Sequence, residues 1–309
     1  MSIVPFKKRA VTPACRDVAS AVRAGQRGPA PTGRLIAVGG GKGGTGKSVF
    51  AANLAVLGSL RGRHVVLVDG DLGLANLHLL LGIEAEKNLL SLLEPGWSSQ
   101  PELLREGPAG VWLLPGGSGV ERLAGLNRGD LRRLVHRLEP YVQNAELVII
   151  DLSSGISPST RLFLQAAQEI VVVANPEPSA MLDAYGVIKL VTQQGHTGGM
   201  HLVMNRARDL SAAQECGRRM LTTVRQFLGR NLNFLGCIPE DEAVIASVQR
   251  RRPLALDRAD SPAAAALRMI AQQLIDGVVP SGNTLSTFFM TAKALVAPRR
   301  RSTKSSCVL

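Results

Sequence analysis

The residues best equipped for chemistry stand together early in the chain: Gly39-Gly40-Gly41-Lys42-Gly43-Gly44-Thr45-Gly46-Lys47-Ser48 contains the pattern GxxxxGK[ST]. Glycine at these positions lets the backbone curl so that successive N–H groups point inward, as a polyphosphate requires. An apolar run, Leu35 to Val38, precedes the loop and a helical pattern follows it, so the positive end of a helix completes the cradle. The spacing predicts that Lys47 reaches the β- and γ-phosphates and that Ser48 places its hydroxyl on Mg²⁺. The expected cradle is Gly41, Lys42, Gly43, Gly44, Thr45, Gly46, Lys47, Ser48 and Val49.

Two carboxylate clusters also close apolar runs. Val68-Asp69-Gly70-Asp71-Leu72-Gly73-Leu74-Ala75-Asn76 carries two carboxylates two residues apart, both able to face the phosphates once the chain turns. Leu147-Val148-Ile149-Ile150-Asp151 ends on a single aspartate, the way a carboxylate approaches Mg²⁺ through water. No glutamate follows Asp151 to serve as a ready general base, so slow turnover is expected. The NKxD pattern that reads guanine is missing, which disfavours GTP.

Such motifs need strands to hold them. Short β-branched runs at Leu35 to Val38, His64 to Val68, Val111 to Leu114, Leu147 to Ile150, Ile170 to Val173, Leu202 to Met204 and Phe234 to Ile238 alternate with helical patterns. That alternation predicts an α/β fold of parallel strands and right-handed crossovers, with ligands at the carboxyl ends of the strands. A last core helix is expected from Ser261 as N-cap, with Leu267, Ile270 and Leu274 inward and Gly277 as its stop.

The 309 residues carry a formal net charge of +12, but residues 1–33 and 281–309 each contribute +5, leaving the body nearly neutral. Basic tails suit anionic lipid, nucleic acid or an acidic partner, or are simply solvated. Cys15, Cys216, Cys237 and Cys307 form no CxxC pair, which argues against a zinc or iron-sulfur site and makes a reducing cytoplasm the simplest compartment. After the linker-like Pro280-Ser281-Gly282-Asn283, the residues Leu285, Phe288, Phe289, Leu295 and Val296 recur at helical spacing, with Arg299, Arg300, Arg301 and Lys304 beyond. An aromatic, apolar face with a basic flank suits an anionic membrane interface; the alternative is a helix docked on the protein's own surface.

From about Arg34 to Gly277 the chain resembles the MinD/ParA family of deviant Walker A ATPases. Its flagellar branch, FlhG/FleN, is the nearest in flavour, through Asp69 to Gly82, Gly107 to Gly119 and Ala166 to Lys189. The resemblance implies a three-layer P-loop NTPase with a mainly parallel twisted sheet flanked by helices, plus a C-terminal amphipathic helix. It implies three segments: a basic N-terminal extension (1–33), an ATPase domain (34–279) and a membrane-targeting helix with a basic tail (280–309). ATP and Mg²⁺ are the implied cofactors, and Lys42, Lys47 and Asp71 the implied catalytic residues. In that family the lysine matching Lys42 crosses to the partner's nucleotide, so an ATP-bound homodimer follows. Asp71 would order the attacking water, Asp69 would serve the metal shell or the structure, and Asn76 would sense the γ-phosphate. Metal-shell residues would be Ser48, Asp69, Asp71 and Asp151. Met204-Asn205-Arg206 and Ile238-Pro239-Glu240-Asp241 look like adenine-contacting segments, with Asn205, Arg206, Pro239 and Glu240 as the contacts.

The branch further implies an anionic cytoplasmic membrane surface, the GTPase FlhF, flagellar switch-complex proteins and a flagellar transcription activator as partners. No sequence-specific nucleic acid is expected. Asp17 to Arg23 resembles the element that stimulates FlhF, with Val18 where the branch has Gln, and Leu152 departs from the branch after the strand-end aspartate. Two rival readings stand beside this one: a DNA-positioning or cell-division ATPase, and an adaptor that barely hydrolyses.

Overall fold

Residues rich in Val, Ile and Leu form strands wherever both faces of the sheet are covered, and here that produces near-continuous buried runs. The computed structural model describes residues 33–97, 101–117, 126–277 and 284–297. Its strands are β1 (Arg34–Gly39), β2 (Val65–Gly70), β3 (Arg105–Glu106), β4 (Trp112–Leu114), β5 (Leu147–Leu152), β6 (Glu169–Ala174), β7 (Gly199–Ala207) and β8 (Asn233–Pro239). They make one sheet in the order β3-β4-β2-β5-β1-β6-β7-β8. Every pairing is parallel except that of β3 with β4.

The helices are α1 (Lys47–Leu60), α2 (Leu77–Leu80), α3 (Arg128–Val142), α4 (Pro158–Ala166), α5 (Pro178–Gln193), α6 (Leu210–Leu228), α7 (Glu242–Gln249), α8 (Leu254–Asp257), α9 (Pro262–Ile275) and α10 (Leu285–Val296). Strand residues alternate between two cores. Leu35, Ala37, Val66, Val68, Val148 and Ile150 face the layer of α3, α4, α5, α6 and α10. Ile36, Val38, Val65, Leu67, Leu147 and Ile149 face α1, α2, α8 and α9. Each such fully buried side chain contributes roughly 1.5–3 kcal/mol of transfer free energy. The same alternation has a consequence for function: Asp69 and Asp151 follow the second set, so both carboxylates turn toward α1.

The last core helix begins where expected, with Ser261 Oγ accepting from the Ala264 N–H at 3.2 Å and Leu267, Ile270 and Leu274 buried. The terminal helix takes the second of its two expected places, docked on the protein's own surface. The stripe expected to meet lipid is covered by the body: Leu285, Phe288, Phe289 and Val296 are buried and Leu295 is half-buried, all packed on the core beside α3 and α4. The Phe288 ring stacks on Phe163 with centroids 6.3 Å apart and meets Phe289 edge-on at 5.0 Å. Lys293 pairs with Glu139, Arg128 donates to the Leu295 carbonyl, and the Leu285 N–H donates to Gly33 O. Of the expected segments, residues 1–32, 278–283 and 298–309 lie outside the described residues, and with them the Asp17 to Arg23 element and the terminal arginines. No helix of the described residues is long and apolar enough to cross a membrane.

At the foot of the sheet, opposite the loop of glycines, Arg34 forms a buried ion pair with Glu169, which also accepts from His201 Nε2 at 3.1 Å. Nearby His196 is buried, and that burial, with Arg230 alongside, pushes its pKa down to about 4 from 6.5. A folded state that keeps this imidazole neutral binds fewer protons than the unfolded chain between those values, so the group's contribution to stability disappears as pH falls through that window. Relative to His196→Gln, wild-type stability is expected to drop by roughly 3 kcal/mol between pH 6.5 and pH 4. Parallel urea titrations of the two proteins check this; equal slopes against pH would contradict it.

Candidate nucleotide site

The loop after β1 owes its shape to glycine at the two positions with positive φ: Gly44 at 77° and Gly46 at 86°, values that L side chains rarely adopt. Close approach fixes a third. A methyl group on Gly41 would lie 2.3 Å from the Asp183 carbonyl of α5. Gly46 is the N-cap of α1 and provides no side-chain cap, which leaves the first N–H groups of the helix for an anion.

The two lysines of the loop point different ways. Lys47 is buried, and its Nζ donates to the Lys42 carbonyl at 3.2 Å within the loop. Burial lowers its pKa, while the charges of Asp151 and Asp71 pull it up. Lys42 instead leaves the loop: its half-exposed Nζ lies 3.3 Å from Glu177 Oε2 and 3.1 Å from Ser179 Oγ at the start of α5.

Asp69 and Asp151 are register partners on adjacent strands, both buried. Burial drives Asp151 up to about 8, with Asp69's charge adding, against the opposing pull of Ser48 and Lys47. Both of its oxygens are buried without a hydrogen bond. A carboxylate in that condition is stabilised by a cation, and the Ser48 hydroxyl and Asp71 beside it are the hard oxygen donors that Mg²⁺ prefers, so the residues fit the ion.

Asp69, for which the metal shell or the structure was expected, makes structural bonds in this chain. Its Oδ2 accepts from the N–H groups of Asn76 and Leu77, each at 3.1 Å, and its Oδ1 from that of Asp71 at 3.3 Å. The carboxylate thus ties the segment after β2 to the sheet. Burial raises its pKa to about 7, partly offset by these donors, the Leu77 N–H first. Asp71 turns back on its own segment, accepting from Leu74 N at 3.1 Å and Gly73 N at 3.3 Å. Asn76 is exposed at the N-cap of α2 and its side chain makes no capping bond.

Beside the loop lies a cavity of about 330 Å³, lined by Gly46, Val49, Asn205, Arg206, Pro239 and Glu240 among the expected residues. Asp241 and the apolar Phe50, Ile238, Val244, Ile245 and Leu267 complete it, a mostly apolar slot of the kind that takes a planar base. Sequence reading missed Phe50, Val244, Ile245 and Leu267 because apolar residues at helical spacing look like core. Asn205 is not wholly free for a base: its amide donates to Thr45 O at 2.8 Å and so braces the phosphate loop. Glu240 is held by Arg208 at 2.6 Å and Arg206 at 3.2 Å, and these partners lower its pKa. Arg206 itself sits at φ 55°. Asn175, at the end of β6, was also missed; it is buried with its Oδ1 unpaired. The Leu285–Val296 helix stands on the other face of the sheet from α1 and takes no part in this site.

The model of the CobQ/CobB/MinD/ParA nucleotide binding domain matches residues 36–254. The chain is 32% identical to the antiactivator FleN of Pseudomonas aeruginosa over 80% of its own length and 88% of that protein's. It is 30% identical to the flagellum site-determining protein YlxH of Helicobacter pylori over 72% and 74% of the two chains. Among solved structures, the septum site-determining protein MinD of Pyrococcus horikoshii complexed with Mg-ADP matches with a TM-score of 0.65 at 25% identity, over 80% of this chain and 99% of that one. With a phosphate loop, an inward lysine, a buried strand-end aspartate and an apolar slot in one place, the chain belongs to the MinD/ParA family of P-loop ATPases.

Proposed function

We propose that this ATPase is a slow, dimer-dependent switch that associates with the membrane and governs the number or placement of flagella. The observation that carries the dimer is the opposed pair of lysines. Lys47 already occupies the chain's own cradle, whereas Lys42 is turned outward at the rim onto Glu177 and Ser179, where a second molecule's nucleotide would give its ammonium a phosphate. A cation supplied in trans stabilises charge on the transferring phosphoryl group, as an arginine finger does.

Within one subunit, Lys47 and the N–H groups at the start of α1 hold the β- and γ-phosphates, and the slot beside Asn205, Arg206, Pro239 and Glu240 seats adenine. Ser48, Asp71 and Asp151 are the residues that would hold Mg²⁺. When bound, the ion neutralises phosphate charge. Asp71, whose charge reaches Lys47, turns from its local bonds to order the attacking water, while Asn76 turns in from solvent to read the γ-phosphate. No glutamate stands behind Asp151 to speed proton removal, in keeping with slow turnover.

The membrane half of the reading requires α10 to leave its berth, since its apolar face serves either the body or the lipid but not both. Lipid contacts would then come from Leu285, Phe288, Phe289, Leu295 and Val296, with the basic tail against anionic headgroups. Dimerisation doubles the anchors and steepens the response through effective concentration. The flagellar output rests on the similarity to FleN and YlxH; FlhF, switch-complex proteins and a flagellar transcription activator are the partners to test.

Co-sedimentation with anionic liposomes tests the reading, using ATP, ADP or no nucleotide with wild type, Lys42→Ala and a chain ending before Thr284. Binding should appear with ATP alone and vanish in both variants. Binding indifferent to nucleotide points to an adaptor, and salt-sensitive binding to random DNA in its place points to a DNA-positioning ATPase.

A further inference from the structure

Two helix ends meet between α7, which lines the slot, and α2, which follows the segment carrying Asp71 and Asn76. Helix α2 ends at Gly82, with φ 66°, and helix α7 ends at Arg251, with φ 52°. The two ends are built alike: Ile83 N donates to His78 O at 2.8 Å, and Arg252 N to Ser247 O at 3.0 Å, closing both helices through a left-handed residue. They are also in contact. A methyl group on Gly82 would lie 2.8 Å from the Arg251 carbonyl oxygen, so the approach exists only because position 82 is glycine.

Arginine at a left-handed position is strained by about 1 kcal/mol where glycine would not be. Its exposed side chain reaches the other helix through charge: burial first, and then the Arg251 guanidinium, lowers the pKa of His78 in α2. The helix that carries this turn touches the base site at its other end: Val244 and Ile245 line the slot, and Ile245 is 60% exposed while nothing covers it. Within α7 only Ser247 is fully buried, so the helix is lightly held and can be reseated by a ligand. Beyond the turn the chain is fixed again, since the Ala255 N–H is bonded to Asn53 Oδ1 of α1 at 2.8 Å in a buried contact.

We propose that α7 and the Arg250–Pro253 turn relay base occupancy to the catalytic segment: a base closing on Ile245 seats α7, and Arg251 then braces α2 and the residues from Asp71 to His78. Arg251 is thereby a positioning residue, and base specificity is expressed in kcat as well as in affinity. The inference rests on the reading that the Asp71 segment works in hydrolysis. Its test therefore includes Asp71→Ala: full turnover in that variant removes the reading beneath the relay, independently of what Arg251 does.

Hydrogen exchange of residues 71–83 is followed with ADP or pyrophosphate, alongside kcat and KM for ATP, in wild type, Arg251→Gly and Gly82→Ala. In wild type, ADP should slow exchange of that segment well beyond pyrophosphate. Arg251→Gly keeps the left-handed backbone and removes its strain, so the melting temperature should hold or rise. The extra protection by ADP should nevertheless disappear, and kcat should fall about tenfold, a loss of about 1.4 kcal/mol, with KM within a factor of two. Gly82→Ala, which drives the two turns apart, should reproduce the kinetic change. Equal protection by ADP in wild type and Arg251→Gly, or a kcat loss that comes only with a lowered melting temperature, overturns the proposal.

Discussion

Lys47→Ala should remove ATP turnover almost entirely, by a factor of about 10³ or more, and weaken ATP binding at the same time. Lys47 is the cation inside the cradle, buried and close enough to Asp151 and Asp71 to feel both charges. In such a low-dielectric site one ammonium on the phosphates is worth several kcal/mol, and water cannot replace it. The fold should survive, because Lys47 opens α1 rather than filling its core, and among the described residues its side chain hydrogen-bonds only to the loop carbonyl of Lys42. Phosphate release and fluorescent-nucleotide titration measure the two losses; turnover within tenfold of wild type would contradict the assignment.

Asp151→Asn should have the second-largest effect, and in two opposite directions. Magnesium-dependent turnover should fall by about 10² or more, since a neutral amide gives the ion no charge. Without magnesium, however, the variant should be more stable than wild type. Asp151 lies in register with Asp69, both are buried, and their pKa values are driven to about 8 and about 7. Carboxyl groups with raised folded-state values hold protons that the unfolded chain has already lost, so their ionisation subtracts stability as pH rises through the interval up to those values. The gain of the variant over wild type should therefore be larger at pH 8 than at pH 5, of the order of 2 kcal/mol, or about 5 °C in melting temperature. Magnesium with ADP should then raise the melting temperature of wild type and not of the variant. Thermal melts at both pH values, with and without the ion, decide between this and a purely structural aspartate.

What the sequence could say about the site depended on whether chemistry or shape was being read. Glycines, lysines and strand-end carboxylates announce themselves, because few other contexts ask for those residues at those intervals. Lys47, Ser48, Asp71 and Asp151 accordingly fall around one loop. The cavity beside the loop was half legible: Asn205 and Glu240 stand out as polar, whereas Phe50, Val244, Ile245 and Leu267 are ordinary core residues until the fold opens a cavity between them. Asp69 was ambiguous for a related reason. A buried carboxylate beside a metal and one capping a loop look the same in sequence, and only the N–H groups of Asp71, Asn76 and Leu77 tell them apart.

The fold followed the same logic. Seven strands come from runs long enough to bury both faces, but β3 is only Arg105–Glu106, too short and too polar for any pattern. Strand β7 extends from Gly199 to Ala207, well past its apolar run at Leu202 to Met204, because pairing with β6 carries polar residues such as His201 into the sheet. The terminal stripe is the instructive case. A helix built to lie on lipid and one built to lie on protein need the same apolar face, and periodicity cannot say which partner receives it. Here the Phe163 ring and the surfaces of α3 and α4 receive it.

The central claim is that ATP joins two copies of this chain through Lys42. The most direct measurement is the solution mass by light scattering with Mg²⁺ and either ATP or ADP, made in the Asp71→Ala background to slow turnover and repeated with Lys42→Ala added. The account predicts a doubling of mass with ATP, none with ADP, and none with either nucleotide once Lys42 is removed. A chain that stays single with ATP, or that doubles without Lys42, would contradict it.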